Sequence, residues 1–129
     1  MNQWTLILGI GVFGGLGTLA RYGSTRFAAW ITSSGHPWGT FAVNLIGCFL
    51  FGILAGLIEA KWISAPWRPI LLTGFLGGFT TFSAFAHENY ILLQEHRWLA
   101  FGGHFIGQTL LGLLAVLVGL YIAGRWTTV

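Results

Sequence analysis

Charge is nearly missing from this chain. Of its 129 residues only 7% are Asp, Glu, Lys or Arg, against roughly one quarter in soluble domains. Aspartate is absent, and the acidic residues are Glu59, Glu88 and Glu95. A single cysteine, Cys48, excludes a disulfide framework or a cysteine-rich zinc cluster. No Lys or Arg precedes the first apolar run, which argues against a cleaved signal peptide. The six basic residues are scattered at the ends of apolar runs, so the net charge of +3 does not mark a nucleic-acid surface.

What fills the chain instead is apolar: 55% of residues, with a mean hydropathy of +0.76. A bilayer core about 30 Å thick takes roughly 20 helical residues to cross. Stretches free of formal charge cover Met1–Ala20, Phe27–Ile58, Pro69–Ala86 and Trp98–Gly124. They predict four transmembrane helices and one domain, 1–129, with no room for a nucleotide-binding fold. The first span runs from about Trp4 past Ala20, and the segment Tyr22–Pro37 continues that helix before turning near Ser33, Ser34 and Gly35. The second covers roughly Gly39–Ile58, a loop runs from Glu59 to Pro69, the third starts near Ile70 and fades around Tyr90, and the fourth spans about Trp98–Gly124. Trp4, Trp30, Trp38, Trp62, Trp67, Trp98 and Trp126 all fall at the ends of these spans, as an aromatic belt requires.

The basic residues divide evenly. Lys61, Arg68 and Arg125 lie on one side of a four-span plan, and Arg21, Arg26 and Arg97 on the other. Orientation is set by an asymmetry in Lys and Arg, and here there is none. Either Arg21 lies in a pore and does not count, or copies insert both ways and pair antiparallel. Gly11/Gly15, Gly52/Gly56, Gly74/Gly78 and Gly103/Gly107 put a close-packing face on every span, for partners inside or outside the subunit.

The third span departs from a regular membrane helix. Gly77-Gly78 followed by Thr80 and Thr81 is poor helix material, and irregular backbone at membrane depth is tolerated only in a buried or polar setting. An interrupted helix frees carbonyls that bind cations and amides that bind anions. Without such an interruption the Thr and Ser hydroxyls would bond back to their own helix. Phe82 and Phe85 share a face next to Thr81 and Ser83, and ring edges carry positive potential that suits a weakly held anion. Asn44, near the centre of the second span, offers two N–H donors to an ion or to a neighbouring helix. Arg21 either snorkels to headgroups or sits in a water-filled vestibule that concentrates anions. His104 and Gln108 share a face of the fourth span, beside Thr109. His36, His87, His96 and Cys48 form no metal-like pattern, and no nucleophile–base pair supports an enzyme.

The run Gly74–Phe85, with its GG-x-TTFS-x-F core, closely resembles the signature of the Fluc (CrcB) family of fluoride channels. Two further segments resemble that family in the same order: Gly14–Tyr22, a glycine-rich first helix ending in an arginine and an aromatic, and Gly39–Gly47, with its GT-x-x-VN-x-x-G pattern. The resemblance covers the full length. It implies an all-α membrane protein whose third helix is broken mid-membrane, assembled as an antiparallel, dual-topology homodimer with two fluoride pathways. It also implies a structural Na⁺ at the dimer centre, held by backbone carbonyls at Gly77 and Thr80. Phe82 and Phe85 match the pore-lining phenylalanines, Asn44 the pore asparagine, Arg21 the vestibule arginine and Glu88 an acidic residue just after the signature. Ala84 stands where the family often has a hydroxyl, and Gln108, Thr109 and Gly112 stand where it has a hydroxyl-lined last helix.

The chain is therefore expected to be a passive fluoride channel of the cell (inner) membrane, with fluoride, lipid and a second copy as partners and no nucleic acid. Its expected ion path comprises Asn44, Thr81, Phe82, Ser83, Phe85, Arg21, Gln108 and Thr109. A small dual-topology proton-coupled exporter of cationic compounds shares the size and plan, but the first span lacks the carboxylate it would need. A non-transporting scaffold subunit is the remaining alternative.

Overall fold

The computed structural model describes residues 2–32 and 37–127. The turn expected at Ser33–Gly35, and His36 with it, lie outside the described residues. Among those described, every regular element is helical. Four helical stretches are long and apolar enough to cross a membrane: Gln3–Ile31, Trp38–Glu59, Pro69–Gln94 and Trp98–Thr127.

Helix α1 (Gln3–Ile31) starts where Asn2 caps the Thr5 amide and ends where Thr32 turns extended. Its 29 residues pass straight through Arg21 and Arg26. Thr18, Thr25 and Thr32 donate their hydroxyls to carbonyls four residues back, which keeps polar side chains satisfied on an apolar helix. Helix α2 (Trp38–Glu59) ends with two backbone bonds, Lys61 N–H to Ile58 O and Trp62 N–H to Leu57 O. That stop holds Lys61 at φ 64°, a left-handed position that glycine usually fills. The same device recurs after Gln94, with His96 at φ 55°.

The third crossing is assembled from pieces. Pro69–Leu76 is π-wound, so that the Gly77 amide reaches back to Leu72 as well as Gly74. A short helix α3 (Gly77–Phe79) follows, then two extended residues, Thr80 (φ −86°, ψ 162°) and Thr81 (φ −151°, ψ 117°), then α4 (Phe82–Gln94). The irregularity thus falls on the threonines, while Gly77 is itself helical (φ −62°, ψ −35°). Helix α5 (Trp98–Thr127) completes the chain.

Two glycine-mediated contacts set the helix arrangement. A Cβ on Gly52 would collide with the Val116 carbonyl, and one on Gly119 with the Phe49 carbonyl, so α2 and α5 run backbone to backbone. On the other side, Gly78 fits only against the Gly14 carbonyl, and Gly17 against that of Phe75, which locks the π-wound segment and α3 onto α1. Gly11, Gly15 and Gly103 face open space. A small apolar core of Ile58, Leu72 and Leu76 joins the two halves. Most other large apolar side chains point outward, as in a protein whose solvent is lipid, and each tryptophan is exposed near a helix terminus.

Candidate functional site

The site begins with the two residues that leave helical geometry. Asn44, buried on α2, clamps Thr81 from both sides: its Nδ2 donates to the Thr81 carbonyl at 3.0 Å, and its Oδ1 accepts the Thr81 amide at 2.8 Å. A buried backbone amide and carbonyl that left helical geometry unpaired would cost about 1–3 kcal/mol each, and one carboxamide satisfies both. Thr81 in turn caps α4, its Oγ1 accepting the Ala84 amide at 3.2 Å and lying 3.3 Å from Ser83 Oγ. The clamp uses one of the two carboxamide N–H groups of Asn44.

This diversion frees particular carbonyls. In a continued α-helix the Thr81 amide would bond to the Gly77 carbonyl and the Ala84 amide to the Thr80 carbonyl. Here both amides are taken by side chains, Asn44 Oδ1 and Thr81 Oγ1. Gly77 and Thr80 thereby lose their helical donors together, and carbonyls freed in this way can serve as cation ligands. Among the described residues, no three His, Cys, Asp or Glu side chains converge as a metal site. The Thr80 hydroxyl donates to Leu76 O at 2.9 Å, so its proton stays on its own helix.

Beside the clamp lies an open cleft of about 360 Å³ between α2, the third crossing and α5. Asn44, Thr80, Thr81, Phe82, Phe85, Gln108 and Thr109 line it, with Cys48, Gly112 and apolar residues of α5. Six of the eight residues expected on the ion path thus meet in one space. Ser83 is exposed one residue beyond Phe82, and Arg21 is half-buried on α1; neither lines the cleft. The two phenylalanines differ: Phe85 is 5% exposed, Phe82 79%, their rings 5.8 Å apart. Gln108 is buried, and its Oε1 has no hydrogen-bond partner. The Thr109 hydroxyl donates to Phe105 O at 2.7 Å, so it faces the cleft with lone pairs rather than its proton.

Glu88 sits one turn beyond Phe85. Its Oε1 accepts the Thr40 hydroxyl at 2.5 Å, and its Oε2 lies 3.4 Å from Nε2 of the fully buried His104. Asn89 ties its Nδ2 to the Phe85 carbonyl at 2.8 Å. Sequence reasoning missed Thr40 and Asn89. Thr40, Asn44 and Cys48 are four residues apart and so share one face of α2, which was the available signal.

The fold and cleft together define a class: a small polytopic helical membrane protein with an open, mainly apolar cleft that carries a few polar groups beside the third crossing. The model of the family described as "CrcB-like protein, Camphor Resistance (CrcB)" matches residues 8–120, which include every residue of the cleft. Curated relatives named fluoride-specific ion channel FluC agree with it. That of Chloroflexus aurantiacus is 42% identical over 121 residues, covering 93% of this chain and 95% of the relative. That of Nitrosococcus oceani is 42% identical over 122 residues, covering 94% and 98%. One from Nitratidesulfovibrio vulgaris is 42% identical over 120 residues, covering 92% and 94%. The chain belongs to the CrcB family.

Proposed function

We propose that this protein is a fluoride channel that lets F⁻ leave the cell passively across the inner membrane. The observation that carries the reading is the Asn44 clamp opening onto a cleft lined by Phe82 and Phe85. Fluoride holds its water tightly, so permeation needs donors that replace the hydration shell in small steps. The second Asn44 N–H and the phenylalanine ring edges supply such steps at the cleft, with the Ser83 hydroxyl just outside it, and none is a fixed cation that would trap the ion. Arg21, on α1, serves as the charge that gathers anions at the mouth.

The working unit in this reading is an antiparallel homodimer of copies inserted both ways. Two features support it: the even split of Lys and Arg, and the ring of Phe82, exposed beside polar groups at the wall of the cleft. The third crossing breaks at membrane depth at Thr80–Thr81. The carbonyls of Gly77 and Thr80 hold a Na⁺ there, which supplies a fixed charge that binds the two copies together. The Na⁺ is structural in this reading, because its ligands are backbone carbonyls away from the Asn44 donor and the phenylalanine edges that meet the anion.

Fluoride efflux from liposomes loaded with the purified protein tests the function, with chloride as control anion. Fast fluoride efflux without chloride efflux is expected, together with its loss in Phe82→Ile, a substitution at an exposed ring that leaves the fold intact. Absence of fluoride flux from a folded protein would overturn the reading and return the scaffold alternative to the front.

A further inference from the structure

Nothing in a phenylalanine itself decides which part of its ring an ion meets. Its last torsion is broad and roughly twofold, so neighbouring groups set the plane of the ring. The edge is positive and the face negative, so turning the plane changes an attraction for fluoride into a repulsion. Phe85 is buried, and three rings lie against it: Phe82 at 5.8 Å between centroids, the His104 imidazole at 5.3 Å and Phe105 at 5.8 Å. The first two are tilted, by 50° and 43°, whereas Phe105 is near-parallel, at 18°. Near-parallel rings at this separation are offset-stacked, so Phe105 lies over part of one face of Phe85. Phe101, one turn earlier on α5, stacks on Phe105 in the same way, at 5.6 Å and 24°. A stack of three rings thus runs from α4 along α5, and its inner member lines the cleft.

Burial does not account for an aromatic at this position. The Phe105 side chain is 47% exposed, and in lipid an apolar side chain gains little by leaving its solvent. Farther along α5 the outward positions are leucines, Leu110, Leu113 and Leu117 among them, so contact with lipid does not call for a ring.

Resting on the fluoride-channel reading, we propose that Phe105 is a positioning residue of the ion path. By covering one face of Phe85 it holds that ring with an edge toward fluoride in the cleft. Phe105 lies outside the lining of the cleft, so it acts through Phe85, and Phe101 backs it from the far side.

The test reads two quantities from the purified protein: the fluoride current through one channel in a planar bilayer, and the fraction of sparsely loaded liposomes that release fluoride. A defect in folding or assembly lowers the fraction, whereas a turned ring lowers the current of each channel. Phe105→Leu is expected to lower the unitary current about two- to tenfold, the range that an aromatic pair contributes, at an unchanged fraction. Phe105→Tyr keeps the ring and is expected to carry the wild-type current. A wild-type current in Phe105→Leu, a loss confined to the fraction, or a Phe105→Tyr current as low as that of Phe105→Leu each overturns the inference alone. If Phe105→Leu does not fold, Phe101→Leu takes its place; a smaller fall in current is then expected, and an unchanged current overturns the inference. No fluoride release or current from wild type overturns the channel reading, and the inference with it.

Discussion

Asn44 performs two tasks with one side chain. Its carboxamide replaces a backbone donor and a backbone acceptor at Thr81, and the same group stands at the wall of the cleft. Removing it should therefore hurt stability and conduction together. Asn44→Ala is expected to cost about 2–4 kcal/mol, from two lost bonds and two buried backbone groups left unpaired. Its fluoride efflux should fall by more than about tenfold; a thermal unfolding curve beside a liposome assay separates the two effects. Had Asn44 only bridged two helices, a folded Asn44→Ala protein would conduct like wild type. That a carboxamide at mid-span needs a partner was legible from residue type alone. Which partner was not, because the Thr81 backbone lies 37 positions away and reaches Asn44 only through tertiary packing. The same holds for Glu88, whose contacts with Thr40 and His104 come from two other helices. Thr80 and Thr109 show a different gap: a hydroxyl in the right place spends its proton on its own helix, a choice that backbone geometry makes and residue type does not.

Among the elements, the third crossing departs furthest from regularity. Charge-free stretches and flanking tryptophans suffice to mark four crossings, because hydrocarbon thickness and interfacial rings impose both. They do not reveal that Pro69–Leu76 is π-wound, whereas the continuation of the first helix past Arg21 was legible and holds to Ile31. Nor does glycine content locate the irregularity. Gly77 and Gly78 are both helical, Gly78 where α1 packs too closely for a side chain, and the extended residues are the threonines that Asn44 and the α4 cap draw away. The consequence is the pair of carbonyls at Gly77 and Thr80. If they hold the proposed Na⁺, exchange of all Na⁺ for a large organic cation during purification and reconstitution should abolish fluoride efflux, and Na⁺ should restore it. Undiminished efflux in rigorously Na⁺-free conditions would remove the ion from the account.

For the whole molecule the governing fact is balance. In the four-span plan the basic residues divide three and three, and a Lys-to-neutral or neutral-to-Lys change at a terminus weighs heavily against so small a total. Adding two lysines after Met1 is expected to lock one orientation, and adding two near Pro37 the other. Each locked form alone should give little fluoride resistance in cells, and the two expressed together should restore it. Full activity of one locked form by itself would exclude the antiparallel pair. Exposed apolar surface on every helix, Leu99 at 94% among it, fits lipid on the outside.

The central claim is passive, fluoride-selective conduction, and a planar-bilayer recording addresses it most directly. Purified protein is placed between unequal fluoride concentrations with chloride as the balancing anion, and the reversal potential is read. The account predicts macroscopic current that reverses at the fluoride equilibrium potential and does not move when chloride is varied. A reversal potential that follows chloride or the proton gradient, or no current from intact protein, would contradict it.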